Sequence, residues 1–119
     1  MSATVIRDLV AGRAAHPNEL DRKRIERSLK TRKRYRYVKP SVVTVANGYR
    51  IESPCCSRNV DPQGGIVDVA LLLHDADNLA WQLFRKDHAC GTWELYSTYE
   101  RLVSALDQLN ADPERAFWQ

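Results

Sequence analysis

The sequence predicts an α+β protein: an antiparallel β-meander of about five strands, packed against a C-terminal helix, with a basic N-terminal helix. Two observations lead to this fold class. Hydrophobic residues follow a helical period up to about residue 34, and a period of two from residue 35 to residue 97. Helical spacing then returns between residues 102 and 109. Helices and strands that occupy separate blocks of the chain favour α+β over an alternating parallel fold.

The chain has 119 residues, of which 44% are hydrophobic. This is the usual size of one domain with one core, so we expect residues 1–119 to form a single domain. Residues 1–17 are expected to form a loosely packed N-terminal helix or arm. Within them, a short helix over residues 4–15 would end before Pro17, because the residue preceding a proline is disfavoured in the helical region.

The basic helix is expected to begin after Asn18 and to run to about Arg34. Asn18 is a suitable N-cap, and Asp21 follows it at the third position. At about 100° per residue, Ile25 and Leu29 share the apolar side of this helix. The opposite side carries four cations at spacings of 4, 3 and 4 residues: Lys23, Arg27, Lys30 and Arg34.

A hairpin is predicted over residues 42–53. VVTVA at 42–46 and YRIES at 49–53 flank Asn47-Gly48, a pair that readily takes the positive φ angles of a type I′ turn. Tyr49 and Ile51 are expected to face the core, because side chains alternate along a strand.

Three more strands complete the predicted meander. IVDVALLL at 66–73 is typical of a buried central strand, and the turn at 75–78 follows it. LAWQLFRK at 79–86 and TWELYS at 92–97 alternate in hydrophobicity, with DHACG turning between them.

The C-terminal helix is expected from Tyr99 to Asn110. Ser97 and Glu100 have the spacing of a capping box, in which the two side chains bond reciprocally to backbone N–H groups. Phe117 and Trp118 then follow in the tail. Large apolar side chains are rarely left in water, so we expect these two to fold back onto the core, with a partner-binding role as the alternative.

Charge is distributed unevenly along the chain. Residues 21–39 hold 10 Lys or Arg against two acids, whereas the whole chain has a formal charge of only +3. Clustered like charge repels itself, and a polyanion or an acidic protein partner relieves that repulsion. Tyrosines that could stack on bases alternate with the last cations. The candidate nucleic-acid-binding residues are Lys23, Arg27, Lys30, Arg34, Tyr35, Arg36, Tyr37 and Lys39.

Two other interpretations of the basic segment stay open. It can be a solvated helix face followed by a tyrosine-bearing strand, or it can dock on an acidic protein. We expect no cofactor, and the sequence disfavours an enzyme while leaving a thiol-dependent one open, because it has no phosphate-binding loop and no dinucleotide fingerprint.

The segment SPCCSRNVDPQGG at 53–65 is the second candidate site. Its loop is longer than the usual connection of about 4–6 residues, and the double glycine allows a ligand close to the backbone. Asp61-Pro62 is also ordinary turn chemistry, so the loop can simply connect two strand ends. The candidate residues of this loop site are Cys55, Cys56, Ser57, Arg58, Asn59, Asp61 and His88.

Three roles are open for Cys55 and Cys56. They could bind metal together with His88 and Cys90, although zinc ligands are usually spaced two to four residues apart rather than adjacent. One of them could be a nucleophile with a lowered pKa beside Arg58, with His88 as base and Asp87 or Asp68 orienting it. Buried cysteines also serve as small apolar side chains, which is the role we expect. His16, His74 and His88 are scattered, and lone histidines are mostly structural or solvated.

The predicted localisation rests on two segments that we do not find in the sequence, a membrane span and a signal peptide. No apolar run approaches the ~20 residues that span a bilayer, and Arg7 and Asp8 interrupt any signal-peptide core. An odd number of cysteines, three, favours reduced thiols. We therefore expect a cytoplasmic protein that does not enter membranes.

Several stretches resemble a family of small bacterial proteins classed as a domain of unknown function. They are YRYVKP, SPCCSRNVDPQGG, DVALL, RKDH before a glycine and tryptophan, and LNADPERAFWQ, so the similarity spans roughly residues 22–119. The resemblance implies a bacterial, cytoplasmic, single-domain protein and brings no activity, cofactor or catalytic residue. From the residues themselves, the function we expect is a non-enzymatic binding module for nucleic acid or another polyanion. The alternatives are the cysteine-loop site and a protein-interaction module, and the oligomeric state is not predicted.

Overall fold

The chain folds as a five-stranded antiparallel sheet with two helices against one of its faces. A computed structural model describes residues 16–32, 39–54 and 65–118. The elements in chain order are α1 (Glu19–Leu29), β1 (Ser41–Val45), β2 (Gly48–Pro54), β3 (Ile66–Asp75), β4 (Ala80–Asp87), β5 (Thr92–Tyr99) and α2 (Leu102–Ala111). The strand order is β1-β2-β3-β4-β5, so every strand pairs with its neighbour in sequence. The predicted α+β meander, with its central third strand, is confirmed.

The core lies between the sheet and the two helices. On the sheet, Tyr49, Ile51, Leu72 and Leu83 are fully buried on the face that we call the inner face. The helices contribute apolar side chains to the same cluster: Ile25, Leu29, Ala105, Leu106 and Leu109. Tyr49 and Ile51 face the core as their alternation predicted.

Helix α1 begins as predicted. The side-chain oxygen of Asn18 accepts a hydrogen bond from the Asp21 backbone N–H at 2.8 Å, and the Asn18 amide donates to the Asp21 carboxylate at 3.1 Å. An N-cap of this kind pairs backbone donors that the first turn of a helix leaves unsatisfied.

The same helix ends five residues earlier than the predicted Arg34. Its last residue is Leu29, and Lys30 is the C-cap. The Arg32 guanidinium donates to the Leu29 carbonyl at 2.7 Å, and the Asn110 amide donates to the Ser28 carbonyl at 3.0 Å. In a longer helix those carbonyls would receive backbone N–H groups from the next turn. Here the backbone N–H groups of Thr31 and Arg32 reach them three residues on, in the tighter 3₁₀ pattern that often closes a helix, and the two side chains add a second donor to each carbonyl.

The first hairpin turns one residue before the predicted position. Val45 pairs with Gly48, so the connecting residues are Ala46 and Asn47 rather than Asn47 and Gly48. Only Asn47 of these has a positive φ, 65°, whereas a type I′ turn needs two such residues. Gly48 instead belongs to β2, where a Cβ would lie 1.9 Å from the Leu72 carbonyl oxygen. Glycine is required at position 48 because β3 approaches closely, and not because the backbone has a positive φ.

Two bulges change which side chains face the core. The register shifts between Ile51 and Glu52 in β2 and between Leu83 and Phe84 in β4. Trp81 and Leu83 lie on the inner face, but beyond the second bulge Leu95 pairs with Phe84 on the opposite face and is 54% exposed. The predicted turn at 75–78 is confirmed, with the Asp75 carboxylate accepting the Asp77 and Asn78 backbone N–H groups.

The C-terminal helix starts three residues later than predicted, and the capping box is wrong. Ser97 lies in β5, where it pairs with Leu83. Arg101 is the N-cap of α2, and its side chain makes no capping hydrogen bond. The strand extends through Tyr99, so pairing with β4 overrides the local capping signal.

The tail folds back onto the core, as we expected for Phe117 and Trp118. Both are 2% exposed. The Asp112 carboxylate, itself 1% exposed, accepts the backbone N–H groups of Ala116, Phe117 and Trp118. The Trp118 indole N–H donates to the Leu109 carbonyl at 3.0 Å. The partner-binding role for these two side chains would require the tail to leave the core.

The predicted helix over residues 4–15 lies outside the described residues, as does most of the predicted N-terminal arm. His16, at the end of that arm, packs against the inner face beside Tyr49 and Trp81. Within the described ranges, no helix has both the length and the apolar character needed to cross a bilayer.

Replacing Gly48 with alanine should destabilise the protein by at least about 3 kcal/mol, because the new methyl group would overlap the β3 backbone, which cannot move without breaking the sheet. Gly91→Ala is the matched control. Gly91 has φ 70° and open space around its Cβ position, so that change should cost only about 1–2 kcal/mol of backbone strain. Urea unfolding followed by circular dichroism measures both, and equal costs would contradict the close-approach argument.

Candidate nucleic-acid interface

Three of the predicted phosphate contacts form one surface on helix α1. Lys23, Arg27 and Lys30 are exposed, and their spacing of 4 and 3 residues puts them on one side of the helix. The other side buries Ile25 and Leu29 against the sheet. We call these three residues the α1 ridge. It projects away from the core into solvent, as its sequence pattern predicted.

Two of the three acidic residues of α1, Glu19 and Glu26, are held by one arginine, Arg22. Arg22 Nε donates to Glu19 Oε2 at 3.0 Å, a second guanidinium nitrogen contacts Glu19 Oε1, and Nη1 reaches Glu26 Oε2 at 2.9 Å. Glu19 lies four residues before Lys23, and Glu26 lies four residues before Lys30, a spacing that favours ion pairs on a helix. Because Arg22 engages both carboxylates, no described acid lies within salt-bridge distance of the ridge cations.

The remaining described cations of the helix and its end are engaged elsewhere. Arg24 pairs with Asp21 at 3.2 Å. Arg32 is 4% exposed, and its guanidinium lies 5.0 Å from the centre of the Trp118 ring, a cation–π contact. Arg32 therefore serves the fold. The charge count of residues 21–39 includes both arginines, whereas the candidate nucleic-acid-binding residues leave them out.

The rest of the predicted interface is only partly described. Lys39 is exposed just before β1. Arg34, Tyr35, Arg36 and Tyr37 lie outside the described residues, so the predicted alternation of cations and aromatic rings stays a prediction.

The cysteine-loop site is described at its borders only. Cys55, Cys56, Ser57, Arg58, Asn59 and Asp61 lie outside the described residues. Pro54 pairs with Ile66 at the end of the sheet where β2 and β3 meet the loop. The turn that carries His88 joins β4 to β5 at the same end of the sheet, since β4 runs antiparallel to β3. The meander thus brings His88 to the same end as the loop.

The described residues around His88 form a tight turn between β4 and β5. The Asp87 carboxylate accepts the backbone N–H groups of Ala89 and Cys90. Asp87 also raises the pKa of the exposed Cys90 thiol above its ordinary value, which disfavours the reactive thiolate. Burial, and then the Lys86 charge, lower the pKa of His88. No group of three or more potential metal ligands forms among residues 16–32, 39–54 and 65–118.

A shallow groove runs beside β5 and the tail. Its lining includes two ion-pair partners, Arg85 and Glu94, whose side chains are 3.1 Å apart. The Tyr96 hydroxyl donates to Glu114, and this hydrogen bond raises the pKa of Tyr96 to about 12. A phenol with that pKa is a poor general acid or base near neutral pH.

Two histidines that look unrelated in the sequence meet at the inner face. The rings of His16 and His74 are 4.6 Å apart between centroids, and each also contacts Trp81. His16 Nδ1 lies 2.9 Å from the Tyr49 hydroxyl and 3.5 Å from the Asp21 carboxylate. Our expectation treated these histidines as separate residues. No local signal joins positions 58 residues apart, because the meander alone brings them together.

The hydrogen-bond directions around His16 indicate a neutral imidazole. The Asn18 side-chain amide nitrogen, which can only donate, lies 3.3 Å from His16 Nδ1, and the Tyr49 oxygen, 2.9 Å from the same nitrogen, accepts the Asn18 backbone N–H at 3.0 Å. Nδ1 then accepts, and the ring hydrogen resides on Nε2. Burial lowers the pKa of His16 below its ordinary value of 6.5, the neighbouring His74 lowers it further, and Asp21 opposes them.

The described structure thus defines the class of protein: a small α+β protein in which a β-meander carries an exposed cationic helix. Comparison with protein families gives a match over residues 13–119 to the profile of a domain of unknown function, DUF3024. The chain belongs to the DUF3024 family. This confirms the resemblance and extends it toward the N-terminus, while the bacterial origin stays a prediction. No curated protein and no solved structure matches the chain.

Stability should fall as the pH is lowered from about 7.5 to 5.5. A histidine whose folded-state pKa is lowered binds its proton more readily in the unfolded chain, so its contribution is present above the unfolded pKa of about 6.5 and is lost as the pH falls. His88 contributes in the same direction. Urea unfolding at several pH values measures this slope. His16→Gln and His88→Gln should each flatten part of it, and an unchanged slope in His16→Gln would show that His16 is not held neutral.

Proposed function

We propose that this protein is a non-enzymatic module that binds nucleic acid or a similar polyanion through the α1 ridge. The observation that carries the proposal is the segregation of charge on α1: Arg22 holds Glu19 and Glu26, Arg24 holds Asp21, and three exposed cations are left on one side. A helix whose charges served only solubility would be expected to alternate them in exposed ion pairs. Arg27 lies in the last turn and Lys30 is the C-cap, where cations favour the helix dipole, but this does not account for Lys23, which lies before the last turn.

The geometry favours contacts to phosphates over contacts to bases. At about 1.5 Å per residue, the ridge extends roughly 10 Å along the helix, which is enough for two or three neighbouring phosphates. Contacts of this kind position a protein on nucleic acid without reading its sequence. Selection among sequences, or a preference for single strands, would come from Tyr35 and Tyr37, which could stack on bases.

The setting we propose is the cytoplasm of a bacterium. The exposed, unbridged Cys90 is compatible with a reducing compartment, and the bacterial origin rests on the family resemblance. An acidic protein partner is the competing interpretation of the ridge. Nucleic-acid binding is distinguished from it by direct titration with a mixed-sequence RNA and duplex DNA pool, followed by fluorescence anisotropy at about 50 and 200 mM salt.

Neutralising two ridge cations should weaken binding and reduce its salt dependence. On duplex DNA, each lost phosphate contact removes about 0.9 from the magnitude of the slope of log affinity against log salt, so Arg27→Gln/Lys30→Gln should lower it by roughly 1.8. The matched control is Arg101→Gln/Arg115→Gln, which removes the same charge from exposed positions outside α1. Equal slopes in the two double variants would place the interaction elsewhere, and no binding by the unaltered protein would refute the proposal.

Arg22 should support binding indirectly, by keeping Glu19 and Glu26 away from the ridge. Arg22→Gln removes one charge and also releases two carboxylates toward Lys23 and Lys30. Arg24→Gln removes one charge but leaves Arg22 and its two partners in place. We therefore expect a larger loss of affinity for Arg22→Gln in the same anisotropy titration.

Carboxylate removal provides the check on this mechanism. Adding Glu19→Gln/Glu26→Gln to the Arg22→Gln variant should restore affinity. Adding Asp77→Asn/Asp107→Asn, which changes the net charge equally at exposed positions outside α1, should restore much less. If both pairs restore affinity equally, net charge rather than the Arg22 contacts governs binding.

A further inference from the structure

The sheet has a second face, which neither described helix covers. Both helices pack on the inner face, against Tyr49, Leu72 and Leu83. Strand register aligns one row of residues across all five strands on the opposite side, which we call the outer face. From β1 to β5 that row is Val43, Arg50, Leu71, Phe84 and Leu95.

The outer face is unusually apolar for a face directed at solvent. In an antiparallel sheet with one covered face, the solvent-facing positions are normally polar. Here four of the five residues in the central row are apolar, and Leu73 extends the patch along β3. Ile66 and Leu95 on this face are 67% and 54% exposed. The apolar residues of β3, β4 and β5 in this row, Leu71, Phe84 and Leu95, are direct neighbours, and an apolar patch on an uncovered face marks a contact surface on a protein.

The charges on the outer face neutralise one another. Arg50 lies 3.3 Å from both Glu52 and Asp68, and Lys86 lies 3.2 Å from the other oxygen of Asp68. The Lys86 ammonium also lies 4.7 Å from the centre of the Trp93 ring. The two cations and two carboxylates of this cluster leave no net charge, and each is paired within its own chain. Asp75, at the far end of β3, accepts hydrogen bonds from the Asn78 side chain and the Asp77 backbone N–H. These carboxylates disfavour a phosphate backbone on this face.

We propose that the outer face is the interface of a homodimer, with the outer face of a second copy as its occupant. Two identical faces that each carry balanced, internally paired charges can pack about a two-fold axis without net repulsion. The α1 ridge lies on the other side of the sheet, so self-association through the outer face keeps the two ridges apart. A dimer through α1 would instead bring like charges together.

The size of the face fits a weak dimer. Five strands about 4.8 Å apart, each presenting about seven residues at ~3.3 Å, cover roughly 500 Å² per copy. The pair would bury about 1,000 Å², which is at the lower limit for a specific interface. We therefore expect the dimer to depend on concentration in the micromolar range and to be dominated by the apolar row.

Sedimentation equilibrium of the full chain tests the interface. At high concentration the unaltered protein should approach twice the 13.6 kDa chain mass, and it should dissociate on dilution. Leu95→Lys would bury an unpaired charge, so it should remain monomeric at concentrations where the unaltered protein is a dimer. Val103→Lys is the matched control, since Val103 is a similarly exposed apolar residue, 46%, on α2. It should dimerise normally.

A second measurement does not depend on a substitution in the interface. Trp81 and Trp118 are buried, whereas Trp93 is partly exposed on the outer face, so acrylamide quenching should report mainly on Trp93. Quenching should decrease as the protein concentration rises through the dimerisation range. A monomer at all concentrations, or equal dissociation by Leu95→Lys and Val103→Lys, would overturn the proposal. If Leu95→Lys does not fold, as judged by circular dichroism, Leu95→Ser replaces it with the same expected direction.

Discussion

The two helices are far apart in the sequence, and their packing against each other depends on the buried carboxylate of Asp112. This residue ends α2 in the left-handed region, at φ 38°, and turns the chain so that the next backbone N–H groups converge on its side chain. Burying a carboxylate is costly unless hydrogen bonds replace its water. The three N–H groups of residues 116–118 do this, and they direct Phe117 and Trp118 into the core.

The position of the ridge follows from that turn. Trp118 supplies the ring beneath Arg32, and the Arg32 guanidinium in turn donates to the Leu29 carbonyl at the end of α1. Asn110 reaches across from α2 to the Ser28 carbonyl and hydroxyl. The end of α1 is therefore held by residues from the other end of the chain. The ridge cations of α1 stay exposed, while the nearby Arg32 is buried and removed from the surface.

Structural features that depend on residues close in the sequence were predicted well. Features that depend on residues far apart in the sequence were not. The Asn18 cap, the strand alternation and the 75–78 turn each depend on neighbours within a few residues, and each was predicted. The end of α1 depends on Asn110, and the true hairpin register depends on the β3 backbone beside Gly48. The same distinction between local and long-range contacts applies to the candidate site. Periodicity identified the ridge, but only the folded structure shows that Arg22 engages its acidic neighbours.

The separation between Asn110 and Ser28 also bears on the order of folding. These residues are 82 positions apart, whereas every strand pair joins neighbours through a short or moderate connection. Closing a long loop costs more entropy than closing a short one, so contacts between distant residues form late. The hairpins should therefore assemble first and provide the surface on which the two helices meet. The cationic helix acquires its final boundary only in the last step, when the two ends of the chain come together.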